Sequence, residues 1–360
     1  YLHGDKGYYI INICKLRRDW HNMQLSENEN IHLYNDDSMR LYSKWLTPTI
    51  IISDGPYGVK GFPGDLVSNE GLGKWYEPHI KKWAQYSTPQ TTLWFWNTEL
   101  GWATVHPFLI QNGWDFKACC IWDKGMSHVA GNVNTKTLSK LPVVTEVCVQ
   151  YVRRPEFNVN GIVYNMKEWL RLEWARTGLP FSKTNEACGV KNAATRKYFT
   201  KCHLWYMPPA DAFEHIVEYA NRYGNESGKP YFSVDGISPL TGDQWNQYRA
   251  KFHCPIGLTN VWSLAQLSGE ERLKKGAKAV HNNQKPIRLI ETIVNISSDE
   301  GDVIWDPFGG LFTTAIVAAK LNRICFSSEI CAETYWDALA HVKQSLNKPT
   351  QLSIEFGTTC

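Results

Sequence analysis

The stretch GDVIWDPFGGLFTTAIVAAKLNRICFSSEI, residues 301–330, carries the clearest structural signal in the chain. A short apolar run ends on Asp306, the pair Gly309 and Gly310 follows, a helix-length segment comes next, and a second apolar run closes at Glu329. This is the strand–turn–helix–strand order of a parallel βαβ unit. Glycines after a strand let backbone approach a ligand. An acid ending the second strand can accept both hydroxyl hydrogens of a ribose. Glu329 follows Asp306 by 23 residues, near the roughly 20 that separate glycine turn and ribose acid in nucleotide folds. An ordinary strand–turn–helix corner is the competing reading. Neither GxGxxG nor GxxxxGK[ST] occurs, so a nucleoside ligand here need not carry a pyrophosphate.

The same pattern recurs along the chain. Strand-like runs bounded by turn residues lie at 31–34, 48–53, 91–97, 117–124, 145–152, 302–306 and 323–330. Helix-length segments lie at 77–87, 100–112, 286–297 and 313–321. Short, wholly apolar strands alternating with helices predict an α/β, doubly wound, mostly parallel sheet covered on both faces. The middle of the chain, with turn-rich stretches such as NRYGNESGKP and no comparable strands, reads as an insertion. The expected division is residues 1–154, an insertion over 155–280, and residues 281–360.

A second unusual stretch is IIISDGPYGVKGF, residues 50–62, where an apolar strand runs straight into an acid, a glycine, a proline and a tyrosine. A tight turn explains it blandly. The chemical alternative is that an acid, a carbonyl and an aromatic ring converge on one small planar group.

Composition narrows the class without choosing a partner. Hydrophobic content of 43%, charge of 20% and a net charge of +3 fit a globular chain. No run reaches the roughly 18 apolar residues of a membrane span, and the first twenty residues lack a signal-peptide layout. Ten scattered cysteines without a CxxC pair suggest reduced thiols in a cytoplasmic protein and no metal site. Lys183, Lys191, Arg196, Lys197 and Lys201 face a single acid, Glu186, over that interval. Sixteen tryptophans and seventeen tyrosines are expected mainly in packing.

Four motifs, in order, resemble those of the β-class site-specific DNA amino-methyltransferases. Asp54-Gly55-Pro56-Tyr57 resembles the catalytic (Asp/Asn/Ser)-Pro-Pro-Tyr tetrapeptide. Asp306-Pro307-Phe308-Gly309-Gly310 resembles the cofactor motif Asp-Pro-Phe-x-Gly-x-Gly. HNNQKPIRLIETIV, residues 281–294, resembles the His-Pro-x-Gln-Lys-Pro segment and its helix. HLYNDDSMRLYSKW, residues 32–45, resembles the opening Asn-Gly-Asp stretch. Two positions depart: Gly55 replaces the first proline, loosening the backbone, and Phe312 stands at the second cofactor glycine, leaving less room near the methionine end.

The resemblance implies a seven-stranded Rossmann-like methyltransferase sheet in permuted motif order, with a mainly helical target-recognition insertion. It implies methyl transfer from S-adenosylmethionine to the exocyclic amine of a flipped base, adenine N6 favoured by the leading Asp54. Cytosine N4, an RNA or protein amide, and a DNA-binding protein with a degenerate pocket stay as alternatives. Asp54 and the Gly55 carbonyl would accept the amine hydrogens, Pro56 would stiffen the turn, and Tyr57 would stack on the base. Glu329 would take the ribose, Asp37 and Phe308 the adenine end, and Asn283, Gln284 and Lys285 the methionine end, beside Asp306, Gly309 and Gly310. Asp37 also reads as a helix N-cap and Lys285 as a solvated lysine. Trp96, Asn97, Trp122 and Lys124, at further strand ends, are candidates to wall the base pocket or simply to fill core.

Double-stranded DNA is the implied partner, and a cognate restriction endonuclease is compatible; a monomer or homodimer is expected, with no membrane role. In the insertion, residues 179–199 read as a helix-turn-helix. Ser182 would cap the first helix and Gly189 make the turn. A second helix from Val190 would present Lys191, Asn192, Thr195, Arg196 and Lys197 to DNA. A plain αα-hairpin fits the same residues.

Overall fold

A computed structural model describes residues 29–59, 66, 68–126, 139, 141–267, 272–275, 278–280 and 283–346. His281 and Asn282 of the HNNQKP segment lie outside them. The described chain divides into two compact units, one holding residues up to 87, 91–151 and from 251 onward, the other residues 88–90 and 152–250.

The first unit is built on strands β1 (Ile31–Tyr34), β2 (Ile50–Ser53), β3 (Thr92–Asn97), β4 (Trp114–Asp123), β5 (Thr145–Arg153), β8 (Val261–Ser263), β11 (Val303–Asp306) and β12 (Ile324–Ser328). They form one sheet in the order β1-β12-β11-β2-β3-β5-β4-β8, and β9 (Lys274–Lys275) and β10 (Lys278–Ala279) pair antiparallel in a small separate sheet. The sheet has eight strands, not the expected seven. The additional edge strand, β8, is only three residues long and pairs parallel with β4, which places it in the first unit although the sequence reading assigned it to the insertion. The pairs β1–β12, β12–β11, β11–β2 and β2–β3 are also parallel.

Alternation of side chains explains why these strands are mainly apolar. Ile50, Ile52, Trp94 and Trp96 face one layer with α8 (Ile287–Ser297), α9 (Thr313–Lys320) and α10 (Ala332–Leu346). Ile51, Leu93 and Phe95 face the other, with α1 (Leu72–Tyr86) and α2 (Glu99–Gln111). Both faces of the sheet are buried, so most central strand positions are apolar, with polar residues such as Asn97 and Asp306 at strand ends. Among the described residues nine tryptophan side chains are fully buried, which accounts for much of the aromatic content as packing.

The direction of winding reverses at the centre. From β2 the chain moves to β3, and from β11 it moves the other way to β12. Ligands of open α/β sheets bind beyond the carboxyl ends of the strands at such a switch point. Asp54 follows β2 and Asp306 ends β11. The register pairs Ile304 with Ile50 and Trp305 with Ile51.

The second unit holds the hairpin β6 (Glu156–Val159) and β7 (Ile162–Asn165) with helices α3 (Met166–Arg176), α4 (Lys183–Ala187), α5 (Ala193–Tyr198), α6 (Ala210–Tyr223) and α7 (Gly242–Asn246). Its core is aromatic: Phe213 stacks on Trp245 and Phe157 on Trp169, each at 4.2 Å. Gly189 turns with φ +64° between α4 and α5. Three details of the expected helix-turn-helix are corrected. The Ser182 side chain makes no capping hydrogen bond, and its backbone is already helical. The second helix starts at Ala193 rather than Val190, leaving Lys191 and Asn192 ahead of it. Thr195 turns inward: its Oγ1 lies 2.7 Å from Thr184 Oγ1 and donates to the Phe181 carbonyl at 2.8 Å. Lys191, Asn192, Arg196 and Lys197 remain exposed.

Candidate active site

The ends of β1, β2, β11 and β12 surround a cavity of about 920 Å³, within the roughly 300–1,000 Å³ of small-molecule sites. It is lined by Asp54, Gly55, Pro56 and Tyr57 of one motif, by Asp306, Phe308, Gly309 and Gly310 of another, and by Asp37, Asn283, Gln284, Lys285 and Glu329. Thirteen residues from five separated stretches of chain thus share one space.

On the β11–β12 side, Asp306 is buried, and burial pushes its carboxyl up to about 7, helped by the nearby charges of Asp54 and Glu329. The Phe308 amide donates to it at 3.3 Å. Glu329 accepts from the Gly310 amide at 3.0 Å and the Cys331 amide at 2.7 Å. Burial nonetheless holds its carboxyl above the usual range. Asp37 does cap a short 3-10 turn, accepting from the Met39 amide at 2.9 Å, and also lines the cavity. The loop that carries it is tied to β12 by Asn35, which donates to the Glu329 carbonyl at 2.8 Å. The Phe308 ring stands among Trp75, Tyr76 and His79 of α1. Trp75 and His79, which also line the cavity, belong to no motif and were not anticipated.

On the β2 side the backbone is held firmly. The Pro56 carbonyl accepts from Tyr76 Oη and Asn97 Nδ2, both at 3.1 Å. A Cβ on Gly55 would lie 2.6 Å from Tyr76 Oη and 2.7 Å from the Phe308 ring. The glycine therefore does not loosen this turn as expected. It lets Phe308 close over the loop.

Below the loop is a buried charge cluster. Lys285 Nζ donates to both Asp54 oxygens, at 2.8 and 2.9 Å, and to Tyr57 Oη at 3.0 Å. It is 5% exposed, which rules out a solvated lysine. Burial lowers its pKa, but Asp54 and Glu146 more than offset this and leave it above the ordinary value. Glu146 of β5 lies 3.4 Å from Lys285 and 2.5 Å from Lys124. Burial raises the Glu146 pKa, and the two lysines outweigh it to leave the carboxylate below its usual range. Tyr57 is nearly buried, with its hydroxyl 2.8 Å from Asp54 Oδ1 and 3.2 Å from Glu146 Oε2. Desolvation and both carboxylates hold that phenol well above its ordinary value. Glu146 was missed from sequence; the available signal was a lone acid near the start of an apolar strand run.

Phe312 does not crowd the cavity. Its backbone takes the left-handed conformation usual for glycine, φ 57° and ψ 34°. Its ring is fully buried against Tyr335, in the core and outside the cavity lining. Phe312→Gly should relieve roughly 1–2 kcal/mol of strain but forfeit about 3–5 kcal/mol of packing. A net loss in thermal unfolding is expected, and a gain would contradict the packing assignment.

The sequence model of the DNA methylase family N6_N4_Mtase matches residues 49–339. The chain belongs to the N6/N4 DNA methylase family. It is similar to the type II methyltransferase M.HinfI of Haemophilus influenzae, 43% identical over 65 residues, 18% of each chain. It is also similar to M.BglII of Bacillus subtilis, 29% identical over 131 residues. Those alignments span 18% and 31% of the relatives' lengths. Among solved structures it is similar to the M1.HpyAVI–SAM complex, with TM-score 0.45 and 18% identity over 88% of this chain and 100% of that one. A further similar structure is the cytosine-N4-specific PvuII DNA methyltransferase, with TM-score 0.48 and 13% identity over 90% of this chain and 88% of that one.

The cavity of this member of the N6/N4 DNA methylase family suits S-adenosylmethionine chemically. Asp36, Asp37, Asp54, Asp306 and Glu329 line it against Lys74 and Lys285, an acidic balance that favours a cationic sulfonium. The Phe308 ring offers a surface for a purine, and Glu329 stands where a ribose acid is expected.

Proposed function

We propose that the protein transfers a methyl group from S-adenosylmethionine to the exocyclic amine of a base in double-stranded DNA, adenine N6 being the favoured target. The observation that carries this reading is the convergence of Asp54 and Asp306 on one cavity at the sheet's switch point, in a chain of the N6/N4 DNA methylase family. Family membership favours DNA over an RNA or protein amide, and the leading acid of the tetrapeptide favours adenine over cytosine.

An exocyclic base amine is a weak nucleophile because its lone pair is delocalised into the ring. The protein's task is to hold it in line with the methyl donor, away from water, and to stabilise positive charge developing on nitrogen. S-adenosylmethionine supplies the electrophilic methyl group. Asp54 and the Gly55 carbonyl accept the two amine hydrogens, with the loop fixed by Tyr76 and Asn97. One proton must leave the nitrogen as the new N–C bond persists, and Asp54 is the carboxylate positioned to take it. The base reaches the cavity by flipping out of the duplex. Tyr57, nearly buried, steadies Asp54 through its hydroxyl rather than lying open for stacking in this structure.

The second unit is assigned to target recognition, with Lys191, Asn192, Arg196 and Lys197 on DNA. Arg196→Ala should weaken binding across sequences and reduce the log–log salt slope by about 1; an unchanged slope would remove Arg196 from the interface. The reading places the protein with DNA in the cytoplasm.

The deciding assay incubates the protein with mixed-sequence duplex DNA and methyl-labelled cofactor, then separates nucleosides. Label in N6-methyladenosine is expected. Label in N4-methylcytosine would keep the mechanism and reverse the base, and no label in DNA would overturn the reading.

A further inference from the structure

Tyr57 has one hydroxyl proton and two carboxylates within reach, Asp54 Oδ1 at 2.8 Å and Glu146 Oε2 at 3.2 Å. Lys285 shows the same choice, with both Asp54 oxygens under 3 Å and Glu146 Oε2 at 3.4 Å. A carboxylate has about four lone-pair sites, and these donors fill three of those on Asp54. An incoming amine must place a hydrogen on that same crowded group. We propose that Glu146 is a positioning residue for methyl transfer, the second acceptor that takes over the Tyr57 hydroxyl and the Lys285 ammonium as the amine engages Asp54. This inference rests on the reading of Asp54 as the amine's acceptor.

The charge balance permits the exchange. Asp54 and Glu146 together face Lys285 and Lys124, so shifting donors from one carboxylate to the other leaves every buried charge paired. An uncompensated charge in such a place would be strongly unfavourable. Lys124 fixes Glu146 at 2.5 Å and is itself 5.0 Å from the Trp122 ring centre, so the second acceptor stays in place while the donors move. Lys285 lies over the rings of Tyr57 and Trp96, at 5.3 and 5.2 Å, which support a cation in either position. The titratable groups facing the cluster are Asp54 and Tyr57 after β2, Tyr76 of α1, Lys124 after β4, Glu146 and Cys148 of β5, Lys285 before α8, and Asp306 of β11.

The test uses the full chain with Glu146→Gln and Glu146→Asp. Steady-state kinetics on duplex DNA at saturating cofactor are run across the alkaline range, beside nitrogen NMR titration of lysine-labelled protein. For Glu146→Gln, kcat should fall about 10–100-fold with KM for DNA little changed. The alkaline limb and the Lys285 resonance should both move to lower pH, because one of the two carboxylates supporting the ammonium is gone. Glu146→Asp keeps the charge on a shorter stem. It should retain the wild-type alkaline limb but lose kcat, and it serves if the Gln variant does not fold. A wild-type kcat in either variant, or an unmoved Lys285 titration in Glu146→Gln, overturns the inference. Absence of DNA methylation by the wild-type protein would instead defeat the functional reading, and the NMR titration would still show whether Glu146 supports Lys285.

Discussion

Asp54→Ala is expected to lower methyl transfer by about 10²–10³-fold, the range seen when one group stabilising developing charge is removed, with cofactor affinity nearly unchanged. The residue does two things at once. In the proposed reaction it accepts from the base amine, and in the structure it pairs with the buried Lys285 ammonium. Truncation therefore also leaves one excess positive charge in the cluster. Removing one partner of a fully buried pair costs about 3–5 kcal/mol. Asp54 is 22% exposed at its side chain and Glu146 remains nearby, so a loss of about 2–3 kcal/mol is expected here. The double variant Asp54→Ala/Lys285→Met restores charge balance. It should recover most of that stability and none of the activity. Chemical denaturation of the three proteins beside the labelled-methyl assay separates the roles. Full activity in Asp54→Ala would end its assignment, and a double variant no more stable than the single would end the pairing argument.

The second large effect concerns Asp306, where function and stability oppose each other. Its carboxyl titrates near 7 in the folded protein against about 3.9 for a free aspartate. Because the folded value is raised, its contribution to stability is fully present below about pH 4. That contribution is lost as pH rises through 7. Asparagine cannot ionise and keeps the oxygen that accepts from the Phe308 amide. Without cofactor, Asp306→Asn should be more stable than the wild type, by an amount that grows between about pH 4 and 7 and then levels. The ceiling is on the order of 4 kcal/mol, at about 1.4 kcal/mol per unit. A cationic cofactor reverses the ranking, since it favours the ionised acid. Wild-type affinity for S-adenosylmethionine should therefore weaken as pH falls below 7, and the variant should bind poorly throughout. Calorimetry at several pH values with thermal unfolding of the ligand-free proteins tests both halves. Equal affinity in the two proteins would remove Asp306 from the cofactor site.

Much of this architecture was legible in the residues. Seven of the eight sheet strands stand out because burial on both faces favours mainly apolar runs, and the cavity motifs sit where such runs end. The eighth, Val261–Ser263, is too short and too exposed at Val261 and Ser263 to carry that signature. Thr195 looked like a base reader because sequence gives spacing along a helix but not which face is packed; its hydroxyl is spent on Phe181 and Thr184. Gly55 and Phe312 looked like defects against a pattern. Each proved to be half of a packing pair, Gly55 with Phe308 and Phe312 with Tyr335.

The amino-acid sequence by itself determined the alternation of strands and helices, the acids that end β2 and β11, and the glycines that let backbone approach a ligand. These are local consequences of side-chain period and backbone freedom. Only the tertiary structure decided that Asp54 meets Lys285, that Lys285 meets Glu146 and that Glu146 meets Lys124. Those residues come from four separate segments, and nothing local to any of them encodes the partner. Their pairing follows from the order in which the strands are laid into one sheet, and from the cost of leaving any of the four charges unpaired once it is buried there.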